Sequence, residues 1–368
     1  MRNPTRQVFF AVFLVCETRV WAFAPPNVRR YSERPSQHSY QAASASSGDD
    51  DTTTTIQAKH ALLISSFSDG ILKSQEAQEF LRTSLLSSML QQQTARLEKK
   101  VEQSVLVSPC NGPDPAAWQA MEEADKLLAS GNLTPDLLED PVVRLLYIPT
   151  AMYALRADSQ NSPGKQRQRA RADGKTRRTQ ILKTLTSLLG PDVPIHAVTM
   201  DLDDGSIKQP EGSENEQDFP RNGKEALRDW KPHFVYVEGG NTFWLYHCME
   251  KGGWEQDLLA VITGKEAAVY CGKSAGAILG GARMDTATWK GWDDPSVVPG
   301  KEKYEAWIDV LGLDILGGSS IFPHMDERWE SLVAEKKAGL KNNVYCITDS
   351  EVCLVNGEQQ TVSVVGSD

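Results

Sequence analysis

Short apolar runs that alternate with longer helical segments constrain the fold of this 368-residue chain more than any other feature. The apolar runs have the length and the β-branched or aromatic content of buried strands. In chain order they are HALLISSF, PVVRLLYIPT, PIHAVTM, PHFVYVE, EAAVYC, NVYCITD, EVCLVNG and QTVSVVG. This order predicts an α/β fold, a three-layer sandwich with a largely parallel central sheet and helices on both faces. In such a fold the functional site lies at the carboxyl ends of the strands.

The segments between these runs divide the chain into two regions. Residues 1–56 have the composition of a disordered leader and linker, and residues 57–368 carry all the strands and helices of a single domain. Residues of about 86–140 form a helical segment that we interpret as an insertion into this domain. The basic run Ser162–Arg178 lacks aromatic residues and begins with Ser-Pro-Gly, which favours a solvated loop that leads into the helix TQILKTLTSLL.

The first residues have the organisation of a targeting sequence. Arg2 and Arg6 precede the apolar run Val8–Cys16, which is too short to span a bilayer, and a small-residue cleavage signal ends at Ala22. A segment rich in Ser and Arg follows, as in transit peptides. The junction Ala22-Phe23-Ala24-Pro25 resembles the bipartite plastid-targeting presequences of diatoms and related algae. This resemblance predicts a plastid protein, with secretion as the alternative.

Composition excludes several classes of partner. The net charge of −10 argues against general nucleic-acid binding, which normally needs a basic surface. The six cysteines have neither CxxC nor zinc-site spacing, so we predict no metal, and mostly buried thiols. We also predict no organic cofactor and no membrane association once the leader is removed. The sequence leaves the oligomeric state open.

The pentapeptide Gly272-Lys273-Ser274-Ala275-Gly276 fits the pattern G-x-S-x-G at the end of a predicted strand. A nucleophile exposed on a strand-to-helix turn has a strained backbone, so its neighbours must be small, and here they are. A phosphate-binding loop is excluded, because position 267 is alanine where that motif requires glycine. The pattern alone also fits a glycine-rich turn with a buried serine.

Three motifs in fixed order identify a family. They are VEGGNTF at Val237–Phe243, the serine turn, and FPH at Phe322–His324. This order resembles the dipeptidase E (aspartyl dipeptidase) family of serine peptidases, which includes cyanophycinases and whose members carry GGGNTF, then GWSAGAN, an acid, and NPHF. The resemblance covers about residues 58–368 and implies a class I glutamine amidotransferase-like fold, with a peptidase domain at residues 57–368.

The resemblance implies a catalytic triad. Ser274 would be the nucleophile and His324 the general base, since a serine hydroxyl reacts poorly until an imidazole takes its proton. The family places the orienting acid between serine and histidine, before a proline. Asp293 matches that position best, with Asp294 and then Asp285 as alternatives.

The same motifs imply the rest of the site. The N–H groups of Gly240 and Ala275 would form the oxyanion hole, while Asn241, Glu238 and Lys273 would contribute to substrate binding. Glu238 replaces the family's first glycine, and Lys273 replaces its tryptophan. A carboxylate at position 238 would repel an acidic substrate unless it is paired, for instance by Lys273.

We therefore predict a serine-type peptidase that hydrolyses short peptides, with N-terminal aspartyl dipeptides as the substrates that the resemblance implies. A cyanophycinase-like hydrolase of β-aspartyl bonds would use the same triad, and a catalytically silent relative would bind a peptide or metabolite. An esterase of the α/β-hydrolase fold is disfavoured, because it needs a histidine after the last strand and none follows His324.

Overall fold

A mixed sheet with a parallel centre dominates the computed structural model, which describes residues 55–107, 114–139, 141–209, 218–301 and 310–366. The strands are β1 (His60–Ile64), β2 (Val143–Ile148), β3 (Ile195–Met200), β4 (Ile207–Lys208), β5 (Phe234–Val237), β6 (Val269–Lys273), β7 (Ser320–Phe322), β8 (Val344–Cys346), β9 (Glu351–Asn356) and β10 (Thr361–Gly366). Each apolar run singled out in the sequence overlaps one of these strands. Most of the targeting region predicted for residues 1–56 lies outside the described residues, which begin at position 55.

Eight strands form the main sheet in the order β10-β9-β1-β6-β5-β2-β3-β4. The five central strands from β1 to β3 run parallel, while β9 and β10 at one edge and β4 at the other are antiparallel to their neighbours. The strands β7 and β8 form a separate parallel pair. The predicted largely parallel sheet is confirmed.

Helices cover both faces of this sheet. The described α-helices are α1 (Gln75–Val107), α2 (Pro115–Ser130), α3 (Pro163–Leu189), α4 (Gly223–Arg228), α5 (Thr242–Gly252), α6 (Glu255–Thr263), α7 (Ala275–Gly280) and α8 (Glu330–Ala338). Single turns of π or 3-10 helix lie at Phe67–Ile71, Pro135–Leu137, Thr150–Tyr153, Asp285–Thr288, Pro295–Val297 and Glu327–Trp329. None of the helices in the described ranges is long and apolar enough to cross a membrane.

The two faces bury separate apolar cores. Leu81 of α1 and Leu185 of α3 pack with Leu62 and Tyr236 of the sheet on one face. On the other face, α5, α6 and α7 pack against residues that alternate with these along the same strands. Because successive strand residues point to opposite faces, two helical layers enclose the sheet and complete the predicted sandwich.

The basic run is a helix, so the prediction of a solvated loop at Ser162–Arg178 is wrong. Ser162 caps α3 by accepting a hydrogen bond from the Lys165 N–H, and Pro163 occupies the first turn, where its missing N–H costs nothing. The Ser-Pro pair thus begins the helix. The charged residues form its solvent side, while Ile181 and Leu185 anchor the other end in the core.

The segment interpreted as an insertion begins inside a continuous helix. Position 86 lies within α1, and Leu85, Leu86 and Met89 are buried in the same core cluster. Further along, Ser88 Oγ donates a 2.7 Å hydrogen bond to the carbonyl oxygen of Ala267. The first half of this helix is therefore part of the layer that covers the sheet.

Candidate active site

The serine turn has the strained geometry that the sequence pattern requires. Ser274 connects β6 to α7 with φ 49° and ψ −107°, a backbone conformation that side chains rarely adopt. Its N–H donates a 2.8 Å hydrogen bond to the Ile64 carbonyl on the neighbouring strand. A Cβ on Gly272 would collide with the carbonyl of Gly276, and one on Gly276 would collide with that of Val237. The turn thus accepts only glycine at both positions.

His324 lies between the serine and a carboxylate. Its Nε2 is 3.0 Å from Ser274 Oγ, and its Nδ1 is 2.6 Å from Asp349 Oδ1. Its backbone is left-handed, with φ 54°. The His324 N–H donates a 2.7 Å bond to the hydroxyl of Ser65, which is fully buried at the end of β1. Both ring nitrogens of His324 and its main-chain N–H therefore have hydrogen-bonding partners.

The small parallel sheet explains why His324 and Asp349 meet. Phe322 of β7 pairs with Cys346 of β8, and the N–H of Ile347 donates a 3.0 Å bond to the Phe322 carbonyl. The last residues of the two strands are therefore paired with each other. His324 and Asp349, which follow these strands, lie side by side. The Asp349 side chain is 61% exposed, so water screens its charge.

The structure places Asp293 elsewhere and corrects its assignment as the acid that orients His324. Its Oδ2 accepts a 2.9 Å hydrogen bond from the Thr242 N–H at the start of α5. Burial raises the pKa of Asp293, and the bond from Thr242 opposes this shift. Asp294 instead caps the turn at Pro295–Val297, and Asp285 pairs with Arg283 at 2.6 Å.

A signal for Asp349 was present in the sequence. The predicted strand NVYCITD ends on this aspartate, and sites of parallel sheets lie at the carboxyl ends of strands. The same rule that singled out Ser274 therefore applies to Asp349. The family's order of motifs directed attention to the segment between serine and histidine instead.

The main-chain segments predicted to supply the oxyanion hole, at Gly240 and Ala275, adjoin Ser274. Gly240 has φ +149°, and a Cβ there would collide with the Ala151 carbonyl. A Cβ on Gly239 would lie 2.8 Å from Ser274 Cβ, so the two turns are in direct contact. Ala275 is the first residue of α7, where an N–H has no carbonyl acceptor within its own helix. Both main-chain segments thus border Ser274.

Glu238 and Lys273 form an ion cluster inside the fold. Glu238 is 1% exposed and accepts bonds from Lys273 Nζ at 2.8 Å, Arg177 Nη1 at 2.9 Å and Tyr147 Oη at 3.1 Å. The pair anticipated between Glu238 and Lys273 therefore forms. Because neither residue lines the pocket at Ser274, the structure does not support their predicted contact with substrate.

Asn241 also has a structural role. Its Oδ1 accepts a 2.9 Å bond from the Trp244 N–H and caps α5, as its position before Thr242 predicts. Its Nδ2 donates a 3.0 Å bond to the Asp294 carbonyl. Both polar atoms of the side chain are thus used within the protein, and they hold the loop of Asp293 against α5.

A small pocket opens at the reactive side chains. Its walls combine the predicted nucleophile and the predicted base with a carboxylate, an ammonium group and several apolar side chains: Thr242, Ser274, Ile278, Thr286, Ala287, Lys290, Trp292, Asp293, Phe322, Pro323 and His324. Within the described ranges, no group of three or more His, Cys, Asp or Glu side chains is arranged to hold a metal ion.

Comparisons with known proteins agree with the motifs. Residues 220–363 match the model of Peptidase family S51, a range that includes Ser274, His324, Asp293 and Asp349. This match confirms the resemblance to the dipeptidase E family and the prediction of a serine-type peptidase. No curated protein matches the chain.

Solved structures similar to this chain have low sequence identity. One is a protein provisionally named peptidase E from Listeria monocytogenes EGD-e, with 14% identity, a TM-score of 0.41, and coverage of 84% of this chain and 100% of the other. Another is a peptidase from an acI-B1 Actinobacterium, with 12% identity, a TM-score of 0.35, and coverage of 85% and 89%.

Proposed function

We propose that this serine-type peptidase, which matches Peptidase family S51 over residues 220–363, hydrolyses short peptides with a free amino terminus through a Ser274-His324-Asp349 triad. One observation carries the proposal. A continuous chain of hydrogen-bonding contacts runs from Ser274 Oγ through both nitrogens of His324 to Asp349, with distances of 3.0 and 2.6 Å. Asp349 takes the role that the sequence had predicted for Asp293.

The geometry suits acyl transfer. Ser274 Oγ attacks the peptide carbonyl carbon while His324 Nε2 takes the hydroxyl proton, and Asp349 accepts the bond from the Nδ1–H. The negative oxygen of the tetrahedral intermediate is stabilised by the N–H groups of Gly240 and Ala275. His324 then gives its proton to the leaving amine as the C–N bond breaks. Water hydrolyses the resulting ester on Ser274, with His324 again acting as the base.

Asp293 provides a counter-charge for the substrate's amino terminus. Its carboxylate lines the pocket of Ser274, where it accepts a hydrogen bond from the Thr242 N–H. Burial disfavours the charged form of this carboxylate, and a nearby cation favours it. An α-ammonium group bound there would place the first peptide bond near Ser274.

The preference for N-terminal aspartyl residues rests on the family resemblance. The burial of Glu238 supports it, because Lys273 and Arg177 neutralise that carboxylate away from the pocket. An acidic substrate side chain would therefore not meet the repulsion that the sequence alone suggested. Cleavage of β-aspartyl bonds, as in cyanophycinases, would use the same triad.

A substrate panel tests the proposal. Residues 57–368 would be assayed on α-Asp-Leu, Ala-Leu, β-Asp-Leu and N-acetyl-α-Asp-Leu, beside the Ser274→Ala and His324→Ala variants. We expect cleavage of α-Asp-Leu, little or no cleavage of its acetylated form, and loss of activity in both variants. Better cleavage of Ala-Leu would refute the aspartyl preference, and β-Asp-Leu as the best substrate would favour the cyanophycinase-like alternative. Full activity of Ser274→Ala would refute the serine mechanism.

A further inference from the structure

Lys290 binds the main chain on both sides of the catalytic histidine. It follows the 3-10 turn at Asp285–Thr288 and lines the pocket at Ser274. Its Nζ donates hydrogen bonds of 2.6 Å to the carbonyl oxygens of Pro323 and of His324. One ammonium group thus holds the peptide unit before His324 and the peptide unit after it.

The main chain of His324 needs such support. A left-handed conformation costs an ordinary residue roughly 1–2 kcal/mol and persists only when its surroundings fix it. Ser65 accepts the hydrogen bond of the His324 N–H, and Asp349 binds the ring. Neither of them binds the two carbonyl groups. The bonds from Lys290 complete the set of contacts that fix this residue.

Aromatic side chains hold the ammonium group in place. Lys290 Nζ lies 4.3 Å from the ring centres of Trp292 and Phe322, and 5.4 Å from that of Trp329. Cations bind the faces of such rings, most strongly where water is excluded. The ring of Trp292 lies 5.8 Å from that of His324, so the same aromatic wall borders the catalytic base.

We propose that Lys290 is a positioning residue: by binding the carbonyl groups on either side of His324, it fixes the backbone from which the imidazole reaches Ser274. This role rests on the proposed triad, but it concerns a residue outside it. Lys290 acts through His324 and not on the substrate. Its removal should therefore lower kcat for every substrate and leave KM nearly unchanged.

The first test replaces Lys290 with methionine, which keeps the contact with the aromatic rings and removes the hydrogen bonds. We expect kcat to fall about 10- to 100-fold, since misplacing a catalytic group by about 1 Å costs up to this much, with KM within about threefold. Lys337→Met is the matched control, because Lys337 Nζ donates a 2.9 Å bond to the Val344 carbonyl away from His324. Its kcat should stay within about twofold of that of the unmodified protein.

A second test follows the charge of Lys290 through pH. Burial lowers the pKa of Lys290 to about 8, with Arg328 acting in the same direction and with Asp326, Asp349 and Cys346 opposing it. The ammonium form therefore predominates below about pH 8 and is lost above it, so kcat should decline as the pH rises through this range. Lys290→Arg retains its charge and should shift that decline above about pH 9. An unshifted decline would assign it to another group and overturn this part of the proposal.

Further outcomes separate the proposal from its rivals. Unchanged kcat in Lys290→Met overturns it, and an increase in KM confined to aspartyl substrates would instead make Lys290 a binder of the substrate carboxylate.

Proton NMR of the His324 Nδ1–H in the bond to Asp349 gives a readout independent of turnover. We expect this low-field signal to broaden or move in Lys290→Met and to persist in Lys337→Met. A persistent signal in both variants overturns the proposal, even if the peptidase function itself fails.

Discussion

Replacing Asp349 with asparagine tests which acid orients His324 in the proposed triad. The aspartate accepts the 2.6 Å bond at His324 Nδ1 and so favours the tautomer whose Nε2 is free to take the Ser274 proton. An asparagine there can turn its amide N–H toward Nδ1. That arrangement favours a proton on Nε2, from which the imidazole cannot act as a base.

The exposure of Asp349 sets the expected magnitude. Removing the acid of a buried triad lowers kcat by about 10⁴. The Asp349 side chain is 61% exposed, so water replaces part of its interaction. A charge-assisted hydrogen bond toward the lower end of its range is worth about 1.5–2 kcal/mol, which corresponds to a loss of about 10- to 30-fold in kcat.

The matched variant is Asp293→Asn. This residue accepts a hydrogen bond from Thr242 and lines the pocket, whereas the carboxylate bonded to His324 is that of Asp349. We therefore expect kcat within about threefold of the unmodified protein and an increased KM for peptides with a free amino terminus. Steady-state kinetics on α-Asp-Leu gives both constants, and thermal unfolding checks that each variant folds. A large loss of kcat in Asp293→Asn with none in Asp349→Asn would refute the reasoning and restore Asp293 as the third triad member.

Three further predictions concern the glycine turn, the ion cluster and the leader. Gly240→Ala should abolish turnover and lower Tm, because its φ of +149° and a neighbouring main-chain oxygen leave no room for a Cβ. Gly291→Ala has open space around it and is disfavoured only by its left-handed φ of +63°, so it should cost about 1–2 kcal/mol of stability and leave turnover unchanged. Glu238→Gln should lower the free energy of unfolding in urea by about 2 kcal/mol, since it removes the buried carboxylate charge that pairs with Lys273 and Arg177. Glu358→Gln, which breaks a half-exposed pair with a lysine, should cost less than about 1 kcal/mol. We also propose that residues 1–56 direct import into a plastid, so a fluorescent protein fused to them should accumulate there, and its appearance in the medium or cytosol would contradict the proposal.

The sequence by itself determined where eight of the ten described strands lie along the chain and where the predicted nucleophile lies, but it missed the short strands β4 and β7. Strand runs such as PIHAVTM and EAAVYC are short and apolar, and this pattern depends only on local composition. The serine turn is equally local, because the strained backbone of Ser274 requires small neighbours that are adjacent in the chain. Asn241 is a further example, since its capping bond spans only three residues.

The start of α3 carries a local helix signal that the high charge of the following residues obscures. The Ser-Pro pair at Ser162 begins α3 as an N-cap followed by proline, although the high charge of the following residues suggested a loop. Charge alone does not prevent a helix, because its charged face can remain in water while one apolar stripe packs on the sheet. The apolar residues of α3 that make this possible lie toward its C-terminal end.

Only the tertiary structure decided which acid reaches His324. Asp293 is closer in sequence to the expected motif, but its loop is held against the start of α5. Asp349 reaches the imidazole because β7 and β8 pair in parallel and end at the same level, a register that depends on contacts between segments distant in the chain. The hydrogen bonds from Lys290 to the carbonyls of Pro323 and His324 also depend on contacts between segments distant in the chain. Sequence patterns report local conformation, whereas side chains from separate loops meet only where packing brings their main chains together.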